Sequence, residues 1–160
     1  VRLMSRWGRC DFSQFREFMR DFERLSDSEI DDLCVACSKE LAARLLALVI
    51  PITPVGQYPK GSGKKGGTLR RGWGAKNGNA VREYAQSLPV TKFGNTYMIE
   101  VINPIEYASY VEFGHRTVSG GWVDGQYMLT IAEEKLKRIT SAALEEMVLR
   151  KLREVCGGRN

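Results

Sequence analysis

Few residues in this chain have the type and spacing to do chemistry. Gly61-Ser62-Gly63-Lys64-Lys65-Gly66 satisfies G-x-G-x-x-G, the spacing that brings backbone amides and a helix N-terminus to a pyrophosphate. Its surroundings are wrong for that task. A proline-containing loop precedes it instead of a strand, no strong helix pattern follows, and no acid stands about 20 residues on to hold a ribose. A phosphate loop also fails, because Gly56 and Gly61 are correctly separated but Ser62 stands where lysine is needed. Cys34 and Cys37 form a C-x-x-C pair within a helical pattern, without the preceding strand of a redox fold or a second pair of zinc ligands. They read as helix-face thiols. His115 is the only histidine, and although Glu112 lies three residues before it, nothing completes a triad or a two-histidine metal site. The residues therefore predict no catalysis, no cofactor and no metal.

The stronger signal is charge. Between Glu40 and Glu83 there is no acid, while Arg44, Lys60, Lys64, Lys65, Arg70, Arg71, Lys76 and Arg82 follow one another. Such a run can neutralise phosphates with a steep salt dependence, dock on an acidic protein face, or stand as a solvated loop. The aromatics Tyr107, Tyr110, Phe113 and Trp122 border a second glycine-rich stretch, and Trp73 closes the first. Aromatic rings at loop margins serve as interface anchors or as core.

The elements that must position these residues follow from periodicity. Asp11 or Ser13 caps a first helix to about Arg24, with Phe12, Phe15, Phe18, Met19 and Phe22 on one face. Ser26-Asp27-Ser28-Glu29 opens a second helix that carries Ile30, Leu33, Cys34, Cys37, Leu41, Leu45 and Leu48, and Pro51 and Pro54 stop it. From Pro51 to Gly72 both periods vanish among glycines and lysines, which predicts a loop longer than the roughly 12 to 15 residues usual in compact domains. Gly72 to Trp73, Ala80 to Leu88 and Thr96 to Ile102 favour strand, with Phe93-Gly94-Asn95 as a turn. Tyr97, Ile99 and Val101 alternate there against Met98, Glu100 and Ile102. Asn103-Pro104 ends the sheet, Ile105 to Phe113 forms a short helix, and Gly114 to Gly125 is a second loop. A final helix covers about Gln126 to Val155. The predicted fold is α+β: two N-terminal helices, a small antiparallel sheet with a long basic loop at 51–73, and a long C-terminal helix, in a single domain over 1–160.

Composition agrees. A chain of 160 residues, 43% hydrophobic and 27% charged, supports one core. The longest apolar run, about Leu45 to Ile50, falls short of the roughly 18 residues that cross a bilayer. No membrane contact is expected. The N-terminal residues lack a continuous apolar signal region, and the four cysteines form no dense framework, so intracellular synthesis with reduced thiols is the expectation. A net charge of +5 permits an anionic partner.

Three segments together resemble a known family: Thr53-Pro54-Val55-Gly56, then Gly67-Thr68-Leu69-Arg70-Arg71-Gly72-Trp73, then Asn103-Pro104-Ile105-Glu106-Tyr107-Ala108-Ser109-Tyr110-Val111-Glu112-Phe113-Gly114-His115-Arg116. Their order and spacing resemble the HK97 gene-product-ten-like family of tailed bacteriophages, small neck or tail-component proteins, and the likeness extends through the C-terminal helix. Two departures stand out. Gln57 to Gly66 is inserted before the Leu-Arg segment, and Gly121 to Met128 replaces a proline-rich stretch. The resemblance implies a non-enzymatic virion protein that forms a ring, with six copies as the inferred number, at the head-tail junction. It would be assembled in the bacterial host cytoplasm beside neck and tail proteins and near passing DNA. Six copies of a +5 chain would carry about +30. Taken with the charge run and the loop-margin aromatics, the expected intersubunit or partner contacts are Lys60, Lys64, Lys65, Leu69, Arg70, Arg71, Trp73, Tyr107, Tyr110, Glu112, Phe113, His115, Arg116 and Trp122. The alternative is a free basic nucleic-acid-binding module.

Overall fold

In the computed structural model the described residues are Arg20, Glu23, 25–74 and 79–157. The helix expected from Asp11 or Ser13 to Arg24 falls almost wholly outside them. Helix α1 spans Asp27–Ile52. Ser26 Oγ accepts from the Glu29 amide at 3.3 Å, and Glu29 returns a carboxylate oxygen to the Ser26 amide at 2.9 Å. This reciprocal cap satisfies two amides that a helix start leaves unpaired. Pro51 lies inside the last turn, and the helix ends at Thr53, which is extended (φ −66°, ψ 124°). Pro54 forces that ending, since a residue before proline avoids the helical region.

The Gly/Lys-rich loop carries no regular structure from Pro54 to Pro59, and a one-turn helix α2 (Thr68–Arg71) closes it. Helix α3 follows at Asn79–Ser87. The expected strand over Ala80 to Leu88 is therefore a helix. Val81, Tyr84, Ala85 and Leu88 fall on one helical face against α1, a spacing that outweighs the strand preference of valine and tyrosine. Gly72 to Trp73, also expected as strand, is a turn.

Strands β1 (Val90–Phe93) and β2 (Thr96–Ile99) make an antiparallel hairpin with Val90 opposite Ile99 and Phe93 opposite Thr96. Gly94 turns it at φ 58°, a conformation glycine adopts without strain. The turn stands where the sequence put it, but the first strand is Val90–Phe93. Tyr97, Ile99 and Val101 are half-buried while Met98, Glu100 and Ile102 are exposed, the alternation expected of one covered face. Asp31 of α1 clamps this hairpin. It accepts from Lys92 Nζ at 2.7 and 2.8 Å and from the Tyr97 hydroxyl.

Helix α4 (Ala108–Phe113) leads into strands β3 (Gly114–Arg116) and β4 (Trp122–Asp124), paired antiparallel with His115 opposite Val123. The second glycine loop is thus a hairpin. Its crossover requires Gly114, at φ 84°, because a Cβ there would lie 2.5 Å from the Val123 carbonyl oxygen. Helix α5 spans Met128–Gly157, about 45 Å at 1.5 Å per residue. It lies antiparallel along α1: Met128 and Ala132 share the core with Leu46, Val49 and Ile50, and Met147 faces Leu33. The chain is a mixed helical protein with two small antiparallel hairpins and a long C-terminal helix.

Candidate functional site

The residues singled out by sequence divide into supports and surface. Trp73 and Leu69 are buried in the core that α1, α3 and α5 share. Trp73 Nε1 donates to Thr53 Oγ1 at 2.8 Å. Arg70 donates from Nε and Nη2 to the Thr53 carbonyl at 3.0 and 2.6 Å, and from Nη2 to the Pro51 carbonyl at 3.1 Å. A guanidinium thereby covers the carbonyls that the end of α1 leaves free. Asn103 Nδ2 donates to the Leu69 carbonyl at 2.9 Å and its Oδ1 accepts from the Ile105 amide. The three sequence segments therefore lock onto one another.

Glu112 is 5% exposed and makes no hydrogen bond to His115. Its Oε2 accepts from the Leu129 amide at 2.9 Å, and Oε1 accepts from the Thr130 amide at 3.0 Å and hydroxyl at 2.7 Å. Those are the second and third amides of α5. Tyr127 stands at the capping position with φ 48°, and tyrosine has no short side-chain oxygen to do this work. A carboxylate from α4 supplies it and meets the positive end of the helix dipole. Leu69, Arg70, Trp73 and Glu112 thus hold the chain together from within. Burial was the part sequence missed, because one chain segment does not reveal which neighbour covers it.

The surface residues form two groups. Tyr107, Tyr110, Phe113 and Trp122 are 44, 57, 61 and 60% exposed around α4 and the β3–β4 hairpin. Ile102, Val123 and a fully exposed Val118 accompany them. His115 is half-buried, its ring centroid lies 5.6 Å from that of Tyr110, and its Nδ1 has no hydrogen-bond partner among the described residues. Arg116 is exposed opposite Trp122.

The second group is the loop tip. Lys60, Lys64 and Lys65 are exposed, and Lys64 Nζ sits 5.9 Å from the Tyr58 ring centre. At the root, Arg71 donates to the Gly66 carbonyl at 3.2 Å and to Thr68 Oγ1 at 3.2 Å. The two limbs touch so closely that a Cβ on Gly66 would lie 2.0 Å from the Gly56 oxygen.

Cys34 and Cys37 are free, part-buried thiols on α1, and burial raises the pKa of Cys37. Among the described residues no group of three acidic, cysteine or histidine side chains gathers as for a metal, and no helix is long and apolar enough to cross a membrane.

The family model described as "Bacteriophage HK97-gp10, putative tail-component" matches residues 16–114, more than half of the chain. The chain belongs to the HK97 gp10-like family. No curated protein and no solved structure matches it significantly. Membership assigns a structural role in a bacteriophage, as a tail component among other tail proteins of the virion. The match contains all three interlocked segments down to Gly114, so the HK97 gp10-like region includes Glu112. It stops before β4 and α5, short of the C-terminal helix to which the motif likeness extended.

Proposed function

We propose that this HK97 gp10-like chain is a ring-forming subunit at the head-tail junction, acting in the neck, in tail completion or as a tail terminator. Six copies, assembled in the host cytoplasm, complete the ring. The aromatic face of α4 and the β3–β4 hairpin makes the contact with the next copy. The observation that carries this reading is the group Tyr107, Tyr110, Phe113 and Trp122, left exposed beside Ile102 and Val118. Exposed aromatics on a rigid support anchor protein interfaces at small entropic cost. Glu112 and Gly114 provide the rigidity, one by capping α5 and the other by close passage under β4.

The test is electron microscopy of particles carrying Tyr110→Ala, Phe113→Ala and Trp122→Ala together, beside circular dichroism of the purified variant. The expected result is particles with unjoined heads and tails from a chain that still folds. Normal particles from the triple variant would defeat the proposal. A free nucleic-acid-binding module is less well supported, because the described residues carry no reading helix, finger or stacking sheet beside the lysines.

A further inference from the structure

We infer that the tip of the loop, Lys60 to Gly66, is a contact for the phosphate backbone of duplex DNA, without sequence preference. The inference rests on the loop's own composition and geometry and needs no ring. First, its charge is uncompensated. Among the described residues, Arg44, Lys92 and Lys151 each have a carboxylate within 4.0 Å, whereas Lys60, Lys64 and Lys65 have none. No acid occurs in the chain between Glu40 and Glu83 to provide one. Unpaired cations on one projecting element concentrate a positive field.

Second, the tip has the groups that hold phosphate and lacks those that anchor a protein. Residues 60–66 are lysine, glycine and serine only. Protein interfaces are centred on buried aromatic and arginine side chains and are poor in lysine. Phosphates are held by lysine, by hydroxyls and by backbone amides. The tip also lacks arginine, asparagine and glutamine, whose planar forks give the most selective contacts to a base edge, and its lysines act as point charges.

Third, the tip is bare and its root is fixed. Gly61 and Gly63 have φ of 90° and 66°, and a Cβ at either would meet nothing within 4 Å. The backbone there can approach a duplex closely. Gly66 packs against Gly56 across the base of the tip, and Arg70 and Trp73 bind Thr53 across it, so ordering the tip on DNA costs less than ordering a free loop. The anchors lie behind it: Thr53 and Trp73 are buried, and the half-buried Arg70 binds the Thr53 carbonyl.

The experiment measures anisotropy of a labelled mixed-sequence duplex with the purified full chain across a range of sodium chloride concentrations. It compares wild type with Lys60→Gln, Lys64→Gln and Lys65→Gln combined. Wild type should bind at low salt, and a shuffled duplex should bind equally. The variant should weaken binding by about tenfold or more, and its slope of log affinity against log salt should be shallower by about 2.7 for three lost phosphate contacts. Its thermal midpoint should not move, since the tip packs against no core residue. Three results overturn the inference: no binding by wild type at low salt, equal binding and slope in the variant, or a variant that binds DNA normally but no longer joins its neighbours in particles. The last would make the tip a protein contact. The ring proposal is read separately through the aromatic triple variant, which should keep its DNA affinity whether or not it assembles.

Discussion

Thr53 and Trp73, twenty residues apart, meet in the core through a 2.8 Å hydrogen bond from the indole Nε1 to the threonine Oγ1. The same hydroxyl donates to the Val49 carbonyl at 2.8 Å. Thr53 is 0% and Trp73 2% exposed, so neither group has water to fall back on. Each limb of the basic loop thereby ends on the other, and the loop projects from a closed base.

Thr53→Val keeps the shape but leaves the indole N–H buried and unpaired. It should destabilise the chain by about 1–3 kcal/mol in urea unfolding. Trp73→Phe removes the donor and some volume, and should cost a similar amount or more. The double variant should lose less than the sum of the two, with a coupling on the order of 1 kcal/mol. Strict additivity would show that this bond does not tie the two segments.

Glu112→Ala strips the cap from α5 and leaves the Leu129 and Thr130 amides unpaired. The expected loss is about 1–2 kcal/mol. Glu112→Gln keeps an acceptor and should lose less, by the part that belongs to charge at the helix N-terminus. Unchanged unfolding midpoints in both variants would remove the capping role.

The hairpin clamp predicts a pH dependence. Hydrogen bonds from Lys92 and then Tyr97 hold the Asp31 carboxyl below its usual pKa, and the bond to Asp31 raises Lys92. A depressed acid binds more protons when unfolded, so its contribution is present above the ordinary aspartate range and is lost as pH falls through the folded value. A raised lysine contributes at neutral pH and loses its share as pH climbs above the ordinary lysine range. Urea midpoints should therefore fall in acid more steeply for wild type than for Asp31→Asn. Parallel acid limbs in the two proteins would contradict this.

Gly72 is tight for a reason other than backbone freedom. Its φ is −61°, open to any residue, but a Cβ would lie 2.2 Å from Asn103 Oδ1 and 2.6 Å from Ile105 Cγ1. Gly72→Ala should cost about 1–3 kcal/mol through overpacking. Adding Asn103→Ala should cost less in that background than in wild type, because it also removes the clash. A thermal melt of the four proteins measures it.

Part of this fold was readable locally. The Ser26–Glu29 cap, the β1–β2 turn, the alternation from Tyr97 to Ile102 and the long final helix all follow from residues within a few positions of each other. The segment over Asn79–Ser87 carried its signal as well, in the spacing of Val81, Tyr84, Ala85 and Leu88, but strand-preferring side chains competed with it. The second hairpin was harder to read. Three-residue strands such as Gly114–Arg116 and Trp122–Asp124 are too short to display a period.

By itself, then, the sequence determined what kind of protein this is: its segments mark an HK97 gp10-like tail component, and its acid-free stretch fixes where positive charge collects. Both are properties of residue order. Only the tertiary structure decided which marked residues face inward. Trp73, Leu69 and Glu112 resemble Trp122, Tyr110 and Phe113 in being large or charged groups beside glycines, yet the first three are buried and the last three exposed. The difference comes from neighbours far along the chain, since α1 and α5 cover one set, and nothing in the described chain covers the other.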